Sequence, residues 1–497
     1  MSAFLKALAY IAPAAAIRRA HAFAALDGQR SYDAAKRGRR NPGLVGKSGS
    51  ANGAIGPALA AIREASSDLV RNTWIGSRAI DVLSANTIGT GISVAWKDQR
   101  AQDLWNDWCL EADIEGEKDF AGVQLVAFRS MLERGDAGVR MVPRRLNGGR
   151  KVPLALQCVE GDVIATERDG IFDGKKSRLG VVLGDWNERV GYWLHDEHPA
   201  EATGWKSPSL VPNFVKRADF CHLYRPMRAG QVRGVPLLAP VAQTVRDYFD
   251  AEDAMIVKLR MEACYGLIVT SNDPVRNLAG TGARKDDDGR NIEQMSPGMV
   301  FRGRQGETVQ AFSPSGSGQF EPVAFAALMG IASGGMVTYD QLTGDLRKAN
   351  YSSLKAGDRI FRRLVEQTQW LTVVPQLMHR VTSRFIDMAI LAGRLPDGVY
   401  AREYVMPAVV PIDPLKDLKA DIMAVRAGRM SPQEFIGEWG RDWRSVLKET
   451  KQFWDVADKD GLVLDIDPRR TDQSGAAQAN DEASDDDDDA SDDSEEK

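Results

Sequence analysis

Residues 342–353 read LTGDLRKANYSS, a polar, glycine-containing stretch set between two helical patterns. On its N-terminal side, Pro322 to Tyr339 carries no charged residue. That run approaches the length of about 18 residues at which an apolar segment suggests a membrane span. It is rich in Ala and Gly, with Ser333-Gly334-Gly335 inside it, and reads as a packed helix running into a loop. On the C-terminal side a helical pattern runs from Ser352 to Ala392, with Ile360, Leu364, Leu371, Val374, Met378, Val381 and Phe385 marking one face. Pro375 should kink this helix, because proline removes a donor and clashes with the preceding turn.

Further toward the N-terminus, Val241, Val245, Tyr248, Phe249, Met255, Ile256 and Leu259 recur at helical spacing and predict a long helix over Pro236 to Tyr265. Arg246, Asp247, Asp250 and Asp253 lie away from most of that stripe, as on a helix packed on one side and wet on the other. Ser271 to Gly289 then breaks the pattern with Gly280, Gly282 and Asp286-Asp287-Asp288-Gly289. Met299 to Phe301 and Thr308 to Phe312 read as short strands around Gly303 and Gly306. A small, loop-rich β insertion thus separates two helical segments.

Before the long helix, residues 57–234 mix helices and strands. Leu59, Ile62, Leu69 and Val70, continued by Ile75, Ala79, Ile80 and Leu83, predict helix from Pro57 until Gly89 and Gly91 end it. Ile92 to Trp96 is a strand candidate, Phe120 to Glu133 a helix, Gly135-Asp136-Ala137-Gly138 a turn, and Val139 to Val142 a strand. Leu154 to Val159, Val181 to Leu183 and Val190 to Leu194 are further strands. At the other end, Asp413-Pro414 reads as a helix cap followed by a first-turn proline, and Ser431-Pro432-Gln433-Glu434 as a capping box. Phe435, Trp439, Trp443, Val446 and Leu447 follow at helical spacing, and the chain reads as disordered after Pro468. The fold class is α+β.

The chain has 497 residues, of which 43% are hydrophobic and 27% charged, which excludes collagen-like, disulfide-scaffold and wholly disordered classes. Its length predicts about two to four domains. A net charge of −5 hides an asymmetry: Asp481 to Lys497 holds 11 acidic side chains and one lysine. Without that tail, 63 basic residues stand against 58 acidic ones, and the first 50 residues carry nine Lys/Arg against two Asp. A basic arm, a nearly balanced body and an acidic tail follow one another. Cys109, Cys158, Cys221 and Cys264 stand alone, with no zinc or redox spacing, which suits a reducing cytoplasm. Ala7 to Ile17 is apolar and faintly resembles a signal peptide, but Pro13 interrupts it and Arg18-Arg19 stand where cleavage would be expected, so an amphipathic arm helix is the reading.

Motifs for catalysis are weak. Gly46-Lys47-Ser48 ends like a phosphate-binding loop, but Asn41 stands where the motif needs glycine. His195-Asp196-Glu197-His198 and Cys221-His222 offer metal-ligand chemistry without helical pairing, and read as half-exposed loop histidines. Asp458-Lys459-Asp460-Gly461 would need Val456 as a calcium ligand, and is rejected. Asp286-Asp287-Asp288, flanked by Arg284, Lys285 and Arg290, reads as a solvated loop rather than a magnesium site. No cofactor, metal or catalytic residue is assigned.

The order of segments carries more than any motif. Trp105 and Trp108 precede Asp113, and Asp119-Phe120 opens the next helix. Gly135-Asp136-Ala137-Gly138-Val139, Gln157 to Asp162 (QCVEGD), Tyr192-Trp193-Leu194 with His198-Pro199, and His222 to Pro236 (HLYRPMRAGQVRGVP) follow in order. Leu342-Thr343-Gly344-Asp345 with Asn350-Tyr351-Ser352-Ser353 is the most specific stretch, and Asp413-Pro414-Leu415-Lys416 another. Together, over about residues 60 to 450, they resemble the lambda-type portal proteins of tailed phages. Lys355 departs from the pattern, standing where the family more often has arginine.

The resemblance implies a portal fold and a ring, usually of about twelve subunits, at one capsid vertex of the virion, assembled in the host bacterial cytoplasm. Double-stranded genome DNA would pass through its channel during packaging and ejection. The terminase large subunit would dock on it, head-completion or connector proteins would replace terminase, and major capsid and scaffold proteins would surround the ring; no membrane is involved. Projected onto this sequence, residues 1–56 are a basic flexible arm, 57–234 an α/β wing, 235–270 the first stem helix and 271–320 the clip. Residues 321–350 are the second stem helix and tunnel loop, 351–412 a kinked helix returning to the wing, 413–470 a helical crown and 471–497 a disordered acidic tail. Arg347, Lys348, Asn350 and Tyr351 become the tunnel-loop candidates for DNA contact, Asp247, Asp250 and Asp253 the channel-lining candidates, and Arg302 and Arg304 the clip contacts for terminase. Gly334, Gly335 and Gly344 would let the loop adopt unusual backbone angles.

A DNA-packaging enzyme, nuclease or ATPase, is the alternative; it would need an intact phosphate loop or clustered metal-binding carboxylates. A membrane-associated secretion component is a third class, supported by the N-terminal apolar stretch.

Overall fold

The computed structural model describes residues 49–145, 150–201, 211–263, 320–347, 350–411 and 413–462, short strands at 267–271, 284–285, 291–292 and 307–311, and residues 464, 466, 467 and 469. The first helix, α1 (Ala51–Asn72), starts earlier than its apolar pattern suggests, with Pro57 inside it. The Ser50 hydroxyl caps it by accepting from the Gly53 N–H, so helix begins within the Gly/Ser run expected to belong to the arm. Thr73 breaks the pattern and caps α2 (Trp74–Thr87). Strand β1 (Ser93–Trp96) follows, then α3 (Gln99–Leu110), capped by Asp98, and α4 (Phe120–Arg134), capped by Asp119.

The expected four-residue turn at 135–138 is reduced to Gly135, whose φ of 89° ends α4; β2 (Asp136–Pro143) begins at once. β2 is the centre of a three-stranded antiparallel sheet, between β3 (Leu154–Glu160) and a strand near residue 222 introduced below. A second, five-stranded antiparallel sheet runs in sequence order through β4 (Gly170–Phe172), β5 (Lys175–Arg178), β6 (Val181–Leu183), β7 (Arg189–Leu194) and β8 (Asn213–Lys216). The chain then joins the first sheet as β9 (Phe220–Tyr224). Several of these strands are three or four residues long and partly polar, which left them below the threshold of sequence periodicity.

The long helix, α5, spans Ala242–Ala263, and residues 237–241 ahead of it form turns rather than helix. It leads to β10 (Leu267–Ser271); β11 (Arg284–Lys285) and β12 (Asn291–Ile292) pair with each other, and β13 (Glu307–Ala311) pairs antiparallel with β10 from Leu267↔Ala311 to Ser271↔Glu307. The insertion therefore leaves and re-enters side by side. Met299 to Phe301 and Asp286-Asp287-Asp288 lie outside the described residues. α6 (Phe320–Gly334) packs against α5, and α7 (Tyr339–Thr343) carries the chain toward α8 (Tyr351–Thr368).

Pro375 lies inside a segment that departs from regular α-helix. Residues Gln369–Met378 wind as π-helix between α8 and α9 (His379–Leu391), a wider turn that absorbs the missing donor while keeping the rod continuous. β14 (Arg402–Val405) returns to pair with β1. The C-terminal helices are α10 (Pro414–Arg426), α11 (Pro432–Glu438) and α12 (Trp443–Lys459). Asp413 caps α10 and Ser431–Glu434 forms the reciprocal box at α11, as read from the sequence.

One core joins α2, α3, α4, the three-stranded sheet, the π segment and α6. Its centre is aromatic: Trp105 meets Trp96, Trp108, Phe120 and Phe385 with ring centroids 4.9–5.9 Å apart. The indole N–H of fully buried Trp108 donates to the Leu154 carbonyl at 2.9 Å. A smaller core, with Ile164, Val181, Tyr192, Leu194, Phe220 and Val232, lies between the two sheets. No helix of the described residues is long and apolar enough to cross a membrane.

Candidate functional site

The passage from the mixed α/β region into α5 is built around one carboxylate. Asp136, at the start of β2, is fully buried, as are Arg63 of α1 and Arg233 before α5. Arg233 Nε donates to Asp136 Oδ2 at 2.6 Å, and Arg63 Nη2 pairs with Oδ1. The Gly234 N–H and His222 Nε2 reach Oδ2, each at 3.3 Å. Arg233 also donates to the carbonyls of Gly161 (2.6 Å) and Leu179 (3.0 Å), and Arg63 to that of Arg134 (2.9 Å). Arg134 closes the rim through Asp162 at 2.8 and 2.9 Å. Burial alone would raise the Asp136 carboxyl; the two guanidiniums and His222 hold it well below the usual range. The stretch HLYRPMRAGQVRGVP, irregular after β9, is thus anchored through His222, Arg233 and Gly234.

His222 corrects the expectation of a half-exposed loop histidine: it is buried on β9. Arg189 Nη1 donates to its Nδ1 at 2.8 Å, so the ring is neutral with its proton on Nε2, facing Asp136. Burial pushes its pKa down to about 4, against the opposing pull of Asp136. An unfolded imidazole titrates near 6.5, so the unfolded chain takes up the proton first as pH falls. Stability is therefore complete above pH ~6.5 and is lost, on the order of 3 kcal/mol, as pH falls to ~4. His379, held low by burial and by Arg402, acts in the same direction. His222→Gln should remove most of the slope of urea-unfolding free energy over this window; an unchanged slope would show that His222 is not its source.

Among the described residues, Glu160, Asp162 and His198 bring ligand atoms within 4.8 Å of one another. Their bonds are committed elsewhere. Asp162 takes Arg134 and Arg63, and the Ala200 N–H donates to His198 Nδ1 at 3.1 Å, leaving the Nε2 proton toward Glu160. The group reads as an ion cluster whose carboxylates are shared with Arg63 and Arg134. Buried Cys221 and half-buried Cys158 are free thiols pushed up to about 11 and about 12. Gly46-Lys47-Ser48 and Cys264 lie outside the described residues.

The second group lies where α5, α6 and α7 meet the LTGDLRKANYSS stretch. Asp247, Asp250 and Asp253 are all exposed on α5, while Val245 is buried and Tyr248 and Phe249 pack on the core. Gly334 is needed for space rather than freedom, since a Cβ there would come within 2.2 Å of Val241 Cγ1. Gly344 is the position that needs the left-handed region (φ 69°), ending α7. Immediately after it, Asp345 takes Arg347 in a two-pronged pair, Nε to Oδ1 at 2.9 Å and Nη2 to Oδ2 at 2.8 Å. The Arg347 N–H also reaches Oδ1 (3.0 Å), and the Tyr339 hydroxyl donates to Oδ2 (3.2 Å). Arg347 holds the Asp345 carboxyl far below its ordinary value. A cavity of about 310 Å³ beneath the turn is bounded by Glu321, Phe325, Leu328, Tyr339, Asp345 and Arg347.

Asn350 caps α8, its side chain accepting from the Ser353 N–H at 2.8 Å. Tyr351 is exposed, with Lys355 and Lys416 each 5.7 Å from its ring centre, and Lys355 holds Asp417 at 2.7 Å. Asn350 thus serves α8 alone, whereas Tyr351 sits at the joint of α8 and α10, where Lys355 makes the ion pair. Lys348, Arg302 and Arg304 lie outside the described residues.

The family described as phage portal protein, lambda family, matches residues 37–369. The probable portal protein of Halomonas phage phiHAP-1 is 23% identical over 455 residues, 85% of this chain and 86% of that protein. The portal protein of Escherichia phage N15 is 22% identical over 254 residues, 45% of this chain and 46% of that one. Among solved structures, a chain of the virion of a native gene transfer agent particle is similar at a TM-score of 0.43 and 18% identity, covering 76% of this chain and 91% of that chain. With the family match spanning the α/β region, α5, the insertion, α6 and the LTGD turn in one order, the chain belongs to the lambda family of phage portal proteins.

Proposed function

We propose that this portal protein closes into a ring of about twelve copies at one capsid vertex, and that genome DNA is packaged and ejected through the ring's axis. In this reading residues 57–234 form the wing, α5 and α6 the stem, residues 271–320 the clip, the segment around Arg347 the tunnel loop, and α10 to α12 the crown. Arg302 and Arg304 on the clip would meet the terminase large subunit, and head-completion or connector proteins would later take its place. Major capsid and scaffold proteins would surround the ring. ATP hydrolysis would belong to terminase, and assembly to the host bacterial cytoplasm.

The observation that carries the ring is apolar surface left open on its expected stem and long helix. Val257 of α5 is 51% exposed, Val323 of α6 65%, Ile360 of α8 67% and Leu371 of the π segment 65%. Four such residues on these elements are what a head-to-tail interface would cover. Negative-stain electron microscopy with native mass is the test. Rings with a central hole and about twelve subunits are expected, whereas a homogeneous monomer or dimer across salts and concentrations would overturn the proposal.

A further inference from the structure

We propose that Asp345 is a latch on the tunnel loop: it grips Arg347 in the resting ring and surrenders it to a passing phosphate, so that this carboxylate sets how weakly the loop holds DNA. The inference rests on the reading above that the loop faces DNA, and assigns a role to the aspartate of LTGD.

The pair is asymmetric. Asp345 is rooted: its side chain is 19% exposed, it follows the left-handed turn at Gly344, and Tyr339, whose ring packs on Phe325 of α6 at 4.8 Å, donates to it. Arg347 is the outer partner, with 79% of its side chain in water. Fork-to-fork geometry is the one a phosphate would also satisfy, since guanidinium binds either anion through two parallel N–H bonds. An exposed pair of this kind is worth little in water. Leaving Asp345 for a phosphate, and returning to it, are thus nearly isoenergetic exchanges. A moving duplex would meet a cation that is always available and never strongly held. A free arginine repeated around the ring would instead add one salt-dependent contact per copy.

The test uses full-length rings, checked by electron microscopy, and linear double-stranded DNA bound over a salt series. Asp345→Asn should raise low-salt affinity about tenfold or more and steepen the log–log salt slope by roughly 0.9 for each phosphate gained. In an Arg347→Ala background the same substitution should give no more than the small gain of a bulk-charge change. Tyr339→Phe, which loosens the root without changing charge, should give a smaller gain with the same dependence on Arg347. Asp250→Asn is the control for bulk charge, and should raise affinity equally in both backgrounds. If Asp345→Asn behaves like Asp250→Asn in both, or leaves affinity unchanged while Arg347→Ala lowers it, the latch is overturned and the channel reading stands. If neither Arg347→Ala nor Asp250→Asn alters DNA binding by intact rings, the channel reading falls and the latch with it.

Discussion

Asp136→Ala is expected to cost the subunit about 3–5 kcal/mol of unfolding free energy, the range for removing one partner of a buried ion pair. Arg63 and Arg233 are 2% and 0% exposed, so neither guanidinium can be rehydrated where it stands. The loss is sharper than for a surface pair because one carboxylate serves two cations, a neutral histidine and the Gly234 N–H at once. Urea unfolding at one fixed protein concentration is the measurement, since assembly would shift apparent stability. Replacing Arg63, Asp136 and Arg233 together by Met, Leu and Met should recover much of the loss, because a charge-free cluster leaves nothing unpaired. A change under about 1 kcal/mol for Asp136→Ala would mean that the arginines reach water. The node stitches α1, α4, both sheets and the approach to α5, so its failure would free these elements from one another.

Why this node was not legible follows from distance along the chain. Asp136 looked like a turn residue because Gly-Asp-Ala-Gly has turn composition. Its partners are 73, 86 and 97 residues away at Arg63, His222 and Arg233, and periodicity carries no information at that range. A usable signal was present in QVRGVP, where a lone arginine sits among apolar and glycine residues, as a buried cation would. Local features fared better. The Asp413-Pro414 cap and the Ser431–Glu434 box are settled within three residues, and both formed as read. Pro375 lay between: the disturbance was local and legible, whereas its form, a ten-residue π segment, depends on Gln369 reaching the Thr87 carbonyl and Gln376 reaching Tyr224 on other elements.

The tunnel-loop candidates divide in the same way. Asn350 before a helical pattern had the signature of a cap, and is one. Arg347 was legible as a cation, but its commitment to Asp345 depends on the Gly344 turn that places the two side by side. The acidic face of α5 was legible as water-facing, and Asp247, Asp250 and Asp253 are exposed.

Changing Asp247, Asp250 and Asp253 to lysine is therefore the substitution with the largest expected effect on DNA. Under the proposed assignment each subunit turns three repelling charges into three attracting ones, repeated around the ring. If the enclosed duplex gains about 6–10 phosphate contacts, affinity should fall by about 10³–10⁵ between 50 and 200 mM salt, with a log–log slope of roughly −5 to −9. Unaltered rings should show a shallow slope. Rings carrying lysine at the exposed wing positions Asp173, Asp185 and Glu197 undergo the same change in net charge and serve as the comparison. A much larger effect for the α5 variant would place that face along the DNA path; equal effects would mean that only total charge counts, and would remove these three from the channel. The physical reason to expect the difference is geometric. A lumen wall surrounds the duplex and meets phosphates from every side, while a wing meets DNA from outside on one. A wall that binds so tightly would also stall translocation, since each advance would have to break many contacts together. A nearly balanced body with acids on α5 is the composition that avoids that grip.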